Sequence, residues 1–160
     1  MRLNELCEDI EVEFAHINET LTEIRDILQR ESEKTLTRSD ITAGATYLAQ
    51  CYNGIENILK RISRFRGVEL PTGPFWHAEF VAVFTPDESK GKGLPPLADS
   101  DLFPRLTALR KFRHTVAHGY AVSFDRDTVL EILGTADETF SIFKKNVRNF
   151  IEQASGHASV

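Results

Sequence analysis

Apolar residues recur along this chain at steps of three and four, the spacing that gathers side chains on one face of an α-helix. Between residues 3 and 34 they are Leu3, Leu6, Ile10, Phe14, Ile17, Leu21, Ile24 and Leu28, with acidic residues between them. That pattern predicts one long amphipathic helix with an acidic outer face. Thr37-Arg38-Ser39-Asp40 breaks it, and Ser39 or Asp40 offers an N-cap for a second helix. The pattern resumes over residues 41–65 through Ile41, Ala45, Leu48, Ala49, Tyr52, Ile55, Leu59 and Ile62. Two long helices with a short join predict an antiparallel hairpin.

Gly67 ends the second helix, and Leu70-Pro71-Thr72-Gly73-Pro74 is a turn-rich connection. The apolar run from Phe75 to Phe84 suits a short buried helix or a strand; helix is preferred, because no second strand-like run exists to pair with it. From Thr85 to Ser100 the prolines and glycines (Pro86, Gly91, Gly93, Pro95, Pro96) predict a long flexible loop, the kind that is mobile or functional in a compact domain. Asp99, Ser100 or Asp101 caps a third long helix, with Leu102, Leu106, Leu109, Phe112 and Val116 on one side and Gly119 near its end. After a crossing at Val122–Asp125, Asp127 caps a last helix whose apolar positions run from Val129 to Ile151. The expected architecture is all-α: an up-and-down bundle of four long helices plus one short one. It forms a single domain over residues 1–153, with a frayed small-polar tail at 154–160.

A length of 160 residues is ample for one buried core. No apolar run approaches the ~20 residues that would span a bilayer, and the acidic N-terminus lacks the apolar core of a signal peptide. A cytoplasmic protein without membrane attachment is therefore expected. Cys7 and Cys51 lie inside helical patterns without metal-ligand spacing, as buried small apolar residues do. The net charge of -5 opposes a broad nucleic-acid-binding surface, but it is unevenly spread. Residues 1–40 hold 5 Lys/Arg against 11 Asp/Glu, leaving 14 against 13 for the other 120 residues. Basic clusters at Lys60-Arg61-Arg64-Arg66, at Arg105-Arg110-Lys111-Arg113 and at Lys144-Lys145-Arg148 suit solvated helix faces. If the fold makes them converge, they could instead guide a phosphate backbone. The acidic first helix would also suit self-association or a charged protein partner.

The chemistry concentrates in Arg113-His114-Thr115-Val116-Ala117-His118-Gly119-Tyr120. Arginine presents a planar fork of donors to phosphate, and histidine exchanges a proton near neutral pH. His114 and His118 share a helix face, whereas Arg113 and His118 lie about 140° apart around an ideal helix. Those two can serve one ligand only if the helix ends near Gly119 or if a dimer combines residues from two copies. Plainer roles stand beside this one. His118 could be a helix C-terminal histidine favoured by the macrodipole. Arg113 could pair with Glu79 or Asp125, and Tyr120 could be a core residue with its hydroxyl at the surface. The His114/His118 spacing suits two zinc ligands, but no third is evident nearby. No metal or cofactor is expected, and Trp76-His77 suits core plus a capping polar group better than a base-stacking platform.

The segment resembles the active-site motif of the HEPN superfamily, more closely that of HepT-like ribonuclease toxins. In it an arginine and a polar residue are followed by a histidine, any residue and a tyrosine. Arg113, His114, His118, Gly119 and Tyr120 fill that pattern, with four residues between arginine and histidine. The order of elements matches the HEPN bundle over nearly the whole chain, although the stretch from Pro71 to Ser100 is longer than in compact members. The resemblance implies a metal-independent endoribonuclease acting as a homodimer, the toxin of a toxin–antitoxin pair, leaving a 2′,3′-cyclic phosphate. It implies His118 as general base or acid, Arg113 as phosphate clamp, His114 as a supporting or proton-relay group and Tyr120 as a phosphate donor or orienter of His118. It further implies a nucleotidyltransferase-type antitoxin that could add AMP to Tyr120. A non-catalytic HEPN-like bundle binding a nucleotide or a protein partner is the alternative.

Overall fold

The computed structural model describes residues 1–118 and 124–157 of the chain. Its helices are α1 (Leu3–Ser32), α2 (Arg38–Phe65), α3 (Trp76–Ala82), α4 (Pro86–Lys92), α5 (Leu102–Ala117) and α6 (Arg126–His157), and the described residues contain no strand. The fold is thus an all-α bundle, and the described residues form four long helices and two short ones, one more short helix than the pattern predicts.

Cross-links between the helices fix their directions. Arg30 meets Asp40 at the α1–α2 join, and Arg61 meets Asp9 at the far end, so the pair is an antiparallel hairpin. Arg25 pairs with Asp137 and Arg148 with Glu11, which sets α6 antiparallel to α1. α2 is the centre of the bundle and packs against α1, α5 and α6. It approaches α1 and α6 closely at two glycines, Gly54 against Ile17 and Gly44 against Leu133. The buried face of α1 runs Leu6, Ile10, Phe14, Ile17, Leu21, Ile24 and Ile27. Leu28, expected in that stripe, is only half-buried, because the helical period brings Ile27 to the core instead.

The caps of α2 and α6 differ from expectation in the same direction. α2 starts on Thr37, whose hydroxyl accepts from the Asp40 amide while the Asp40 carboxylate accepts from the Thr37 amide, a capping box. Asp40 is therefore the third residue of the helix and not its cap. For α6 the capping side chain is Asp125, which accepts from the Thr128 amide, two residues ahead of the expected Asp127. Asp99 serves α5, accepting from the Leu102 amide at 2.8 Å.

The expected loop over residues 85–100 is partly helical. Pro86 occupies the first turn of α4, Asp87 and Glu88 come next, Lys90 and Lys92 close the last turn, and Gly93 ends the helix with φ 71°. Beyond it Leu94, Leu97 and Ala98 are buried. The Asn146 amide of α6 donates to Leu97 O and to the Asp99 carboxylate, anchoring this stretch ahead of α5. α6 itself runs to His157, past the point where fraying was expected, and residues 158–160 lie outside the described residues.

Candidate functional site

Leu102, Leu106, Leu109 and Phe112 turn one side of α5 into the core. The same helical phase directs Arg110 and Arg113, one turn apart, along the flank where α2 and α3 lie. Arg113 is held there by three groups. Its Nε donates to Asn53 Oδ1 at 3.2 Å, its Nη1 lies 3.4 Å from His77 Nε2, and its Nη2 lies 3.9 Å from Glu56 Oε1. Asn53 and Glu56 belong to α2 and His77 to α3.

Glu56 is the electrostatic hub of this arrangement. Its side chain is 3% exposed, and a buried carboxylate needs compensation by charge and hydrogen bonds. Lys60 Nζ donates to Oε1 at 2.6 Å, and Arg113 adds a second cation to the same oxygen. Oε2 is buried without a hydrogen-bond partner among the described residues, and so is the atom facing it, His77 Nδ1, 4.0 Å away. Tyr52, one turn earlier on α2, has its hydroxyl buried and unpartnered among those residues too, and burial together with the nearby Glu56 charge pushes its pKa well up. For His77 the direction is opposite. Burial first, and then the Arg113 charge, hold its imidazole below the ordinary histidine range, so it is neutral at neutral pH.

In front of Arg113 opens a cavity of about 340 Å³, lined by His77, Arg110, Lys111, Arg113, His114 and Thr115. Three cations and two imidazoles line it without a carboxylate among the described lining residues, so its electrostatics favour a negative charge. A larger cavity of about 710 Å³ opens beside it, bordered by Trp76, Lys60 and Arg64.

His118 is the residue that ends α5, with φ −91° and ψ 4°. Its ring packs against that of His114, with centroids 4.2 Å apart and planes tilted by 40°. Its Nδ1 lies 2.8 Å from the His114 carbonyl oxygen, and a carbonyl only accepts, so Nδ1 carries the hydrogen. In the neutral ring Nε2 is then the basic nitrogen.

Of the sequence-predicted residues, Arg113 and His114 line the same cavity. His118 is exposed, lies outside that lining and reaches it through the His114 ring. The helix does end between Arg113 and His118, at Ala117 and so slightly ahead of Gly119. Gly119 and Tyr120 lie outside the described residues. Glu79 and Asp125 do not take the arginine; Glu56 does, because it reaches α5 from the neighbouring long helix. No group of three or more His, Cys, Asp or Glu among the described residues could hold a metal ion. Pattern reading passes over Asn53 and Glu56, and it gives His77 the role of a capping polar group beside the core, whereas its ring meets Arg113. One sign points to Glu56: it is a charge one helical turn from Tyr52 on the apolar face of α2.

A protein-family model described as HepT-like protein matches residues 43–154, which takes in α3, α5 and most of α2 and α6. No curated protein and no solved structure matches the chain.

Proposed function

The chain belongs to the HepT-like family, and from that premise we propose that it is a metal-independent endoribonuclease, the toxin of a toxin–antitoxin pair. The observation that carries the reading is the Arg113 guanidinium, fixed by Asn53, His77 and Glu56 at the wall of an anion-receptive cavity that also holds His114. RNA brings its own nucleophile, the 2′-hydroxyl, so cleavage requires a proton acceptor, a proton donor and a cation for the charge that builds on phosphorus. Arg113, seconded by Arg110 and Lys111, supplies the cation. His118 Nε2 takes or returns the proton, and His114, stacked between His118 and the cavity, relays it or steadies the ring. The 2′-oxygen bonds to phosphorus, the 5′-oxygen leaves with a proton, and a 2′,3′-cyclic phosphate results.

A homodimer would bring His118 of one copy toward the cavity of the other, and would answer the exposed position of that residue in a single chain. Tyr120 serves as a donor to phosphate or an orienter of His118, and is the acceptor for AMP from a nucleotidyltransferase-type antitoxin. The test is cleavage of single-stranded RNA by purified protein in excess chelator. Wild type should cleave, and His118→Ala or Arg113→Ala should lose cleavage while keeping the helical fold. Intact RNA with wild-type protein free of AMP and partner would overturn the assignment. His118 lying outside the cavity lining favours one second reading, a non-catalytic bundle that binds a nucleotide or a protein partner. Partner binding indifferent to His118→Ala, without cleavage, would select it.

A further inference from the structure

We propose that His77 is a positioning residue for Arg113: a neutral imidazole that holds the guanidinium ready for an RNA phosphate and releases it on protonation. The proposal deepens the ribonuclease reading and rests on it for the identity of the ligand.

The tautomer follows from the neighbours. Arg113 Nη1 can only donate, so His77 Nε2, 3.4 Å away, accepts, and the neutral ring carries its hydrogen on Nδ1. That hydrogen is directed to the side where Glu56 Oε2 lies, 4.0 Å from Nδ1. Both atoms are buried and without a partner among the described residues, a condition that costs free energy until it is relieved. An approach of about 1 Å would join them at hydrogen-bond length. The ring has little freedom to turn away: the Trp76 indole lies on it with centroids 3.6 Å apart, and Phe80 meets that indole edge-on.

A neutral acceptor suits this position better than either charged alternative. A carboxylate against Nη1 would hold the arginine but cancel the charge a phosphate needs. A cation would drive it off. Histidine in its neutral form fixes the geometry and leaves the positive charge directed at the cavity that both side chains line. Protonation turns Nε2 into a donor facing a donor and sets two cations side by side, so the His77 contact on Nη1 is lost and Arg113 is left to Asn53 and Glu56. The groups facing the ring are Glu56 and Lys60 from α2 and Arg113 and His114 from α5; of these, only Glu56 favours the protonated form.

Two measurements on the full chain test this. The first is long-range proton–nitrogen NMR of the histidine rings without nucleic acid. His77 should show the Nδ1-protonated tautomer and titrate below the ordinary histidine pKa of 6.5, with the Arg113 Nε–H signal broadening as it protonates. An Nε2-protonated ring, or titration at or above 6.5, overturns the proposal whether or not the protein cleaves RNA. The second is the binding of a fluorescent 2′-O-methyl RNA oligomer, which lacks the nucleophile, read by anisotropy across pH. His77→Leu should weaken binding at about pH 8 by about tenfold, as expected for losing one hydrogen bond to a charged group. His77→Gln places a non-titrating oxygen near the Nε2 position, so it should restore most of that loss and bind more tightly than wild type at any pH below the midpoint that NMR gives for the wild-type His77 ring. Equal losses in both variants at every pH would reduce His77 to a packing residue. The expected NMR result together with oligomer binding but no RNA cleavage would leave the positioning role standing and bring down the nuclease assignment.

Discussion

Gly54 sets how deeply α2 sits against α1, and it lies between Asn53 and Glu56, two of the groups that hold Arg113. A Cβ at this position would stand 2.6 Å from Ile17 Cγ1 and 2.8 Å from Cδ1, against ordinary carbon contacts of about 3.5–4.0 Å. Ile17 is 2% exposed, and Cγ1 is bonded directly to its Cβ, so it can retreat only by leaving a stiff χ1 rotamer or by moving the helix. Overpacking of this kind costs about 1–3 kcal/mol, while alanine in place of a helical glycine recovers about 1 kcal/mol of propensity. With the rigid neighbour placing the cost in the upper half of its range, Gly54→Ala should destabilise the fold by about 1–2 kcal/mol. Gly134 is the control: it lies within α6, and a methyl group there would meet nothing within 4 Å, so Gly134→Ala should stabilise by up to about 1 kcal/mol. Urea and thermal unfolding of the two variants should then place their midpoints on opposite sides of wild type, about 5–10 °C apart for a domain of this size. In an Ile17→Ala background the Gly54→Ala penalty should vanish. A Gly54→Ala protein as stable as Gly134→Ala, or a penalty that persists without the Ile17 side chain, would refute the steric account.

Asp99 accepts from the Leu102 and Asp101 amides and from Asn146, with the Leu102 amide the main cause of its lowered pKa. Its contribution to stability is therefore present above the ordinary 3.8 and is lost as pH falls through the lower folded value. Asp99→Ala should cost about 1 kcal/mol at neutral pH, and the gap to wild type should narrow in unfolding curves measured below about pH 3. Burial pushes the Cys51 thiol up to about 12, so thiol-reactive dyes should label Cys7 first and reach Cys51 only on unfolding. Rapid labelling of both in the native protein would contradict the packing of Cys51.

The four long helices are legible in the sequence because each buries a stripe several turns long, and a three–four period over such a length excludes strands. The joins are less so. Thr37 and Asp125 cap from two or three residues ahead of the polar side chains nearest each apolar stripe, since a cap bonds amides two or three residues further on. In α4 the signals of a helix (Pro86 first, acids next, lysines last, Gly93 after) are compressed into seven residues, where turn-forming composition masks them. Arg113 and His114 can be picked from the sequence because the chemistry is local. His77 cannot: it sits 36 residues from Arg113 beside an apolar run that suggests only core, and the packing of α3 on α5 brings the two together.

Glu56 answers to Lys60, His77 and Arg113 at once, and this has an evolutionary consequence. Substitutions at these positions do not act independently, because the effect of losing any one depends on whether the shared carboxylate still stands. If Lys60 goes first, the buried charge leans harder on Arg113; if Glu56 goes first, Lys60 and Arg113 both lose the carboxylate oxygen they share. Most single steps away from the set pass through a poorly folded or poorly binding intermediate. The four residues form an epistatic block, and lineages descended from this protein should keep it whole or exchange it in a few coupled steps.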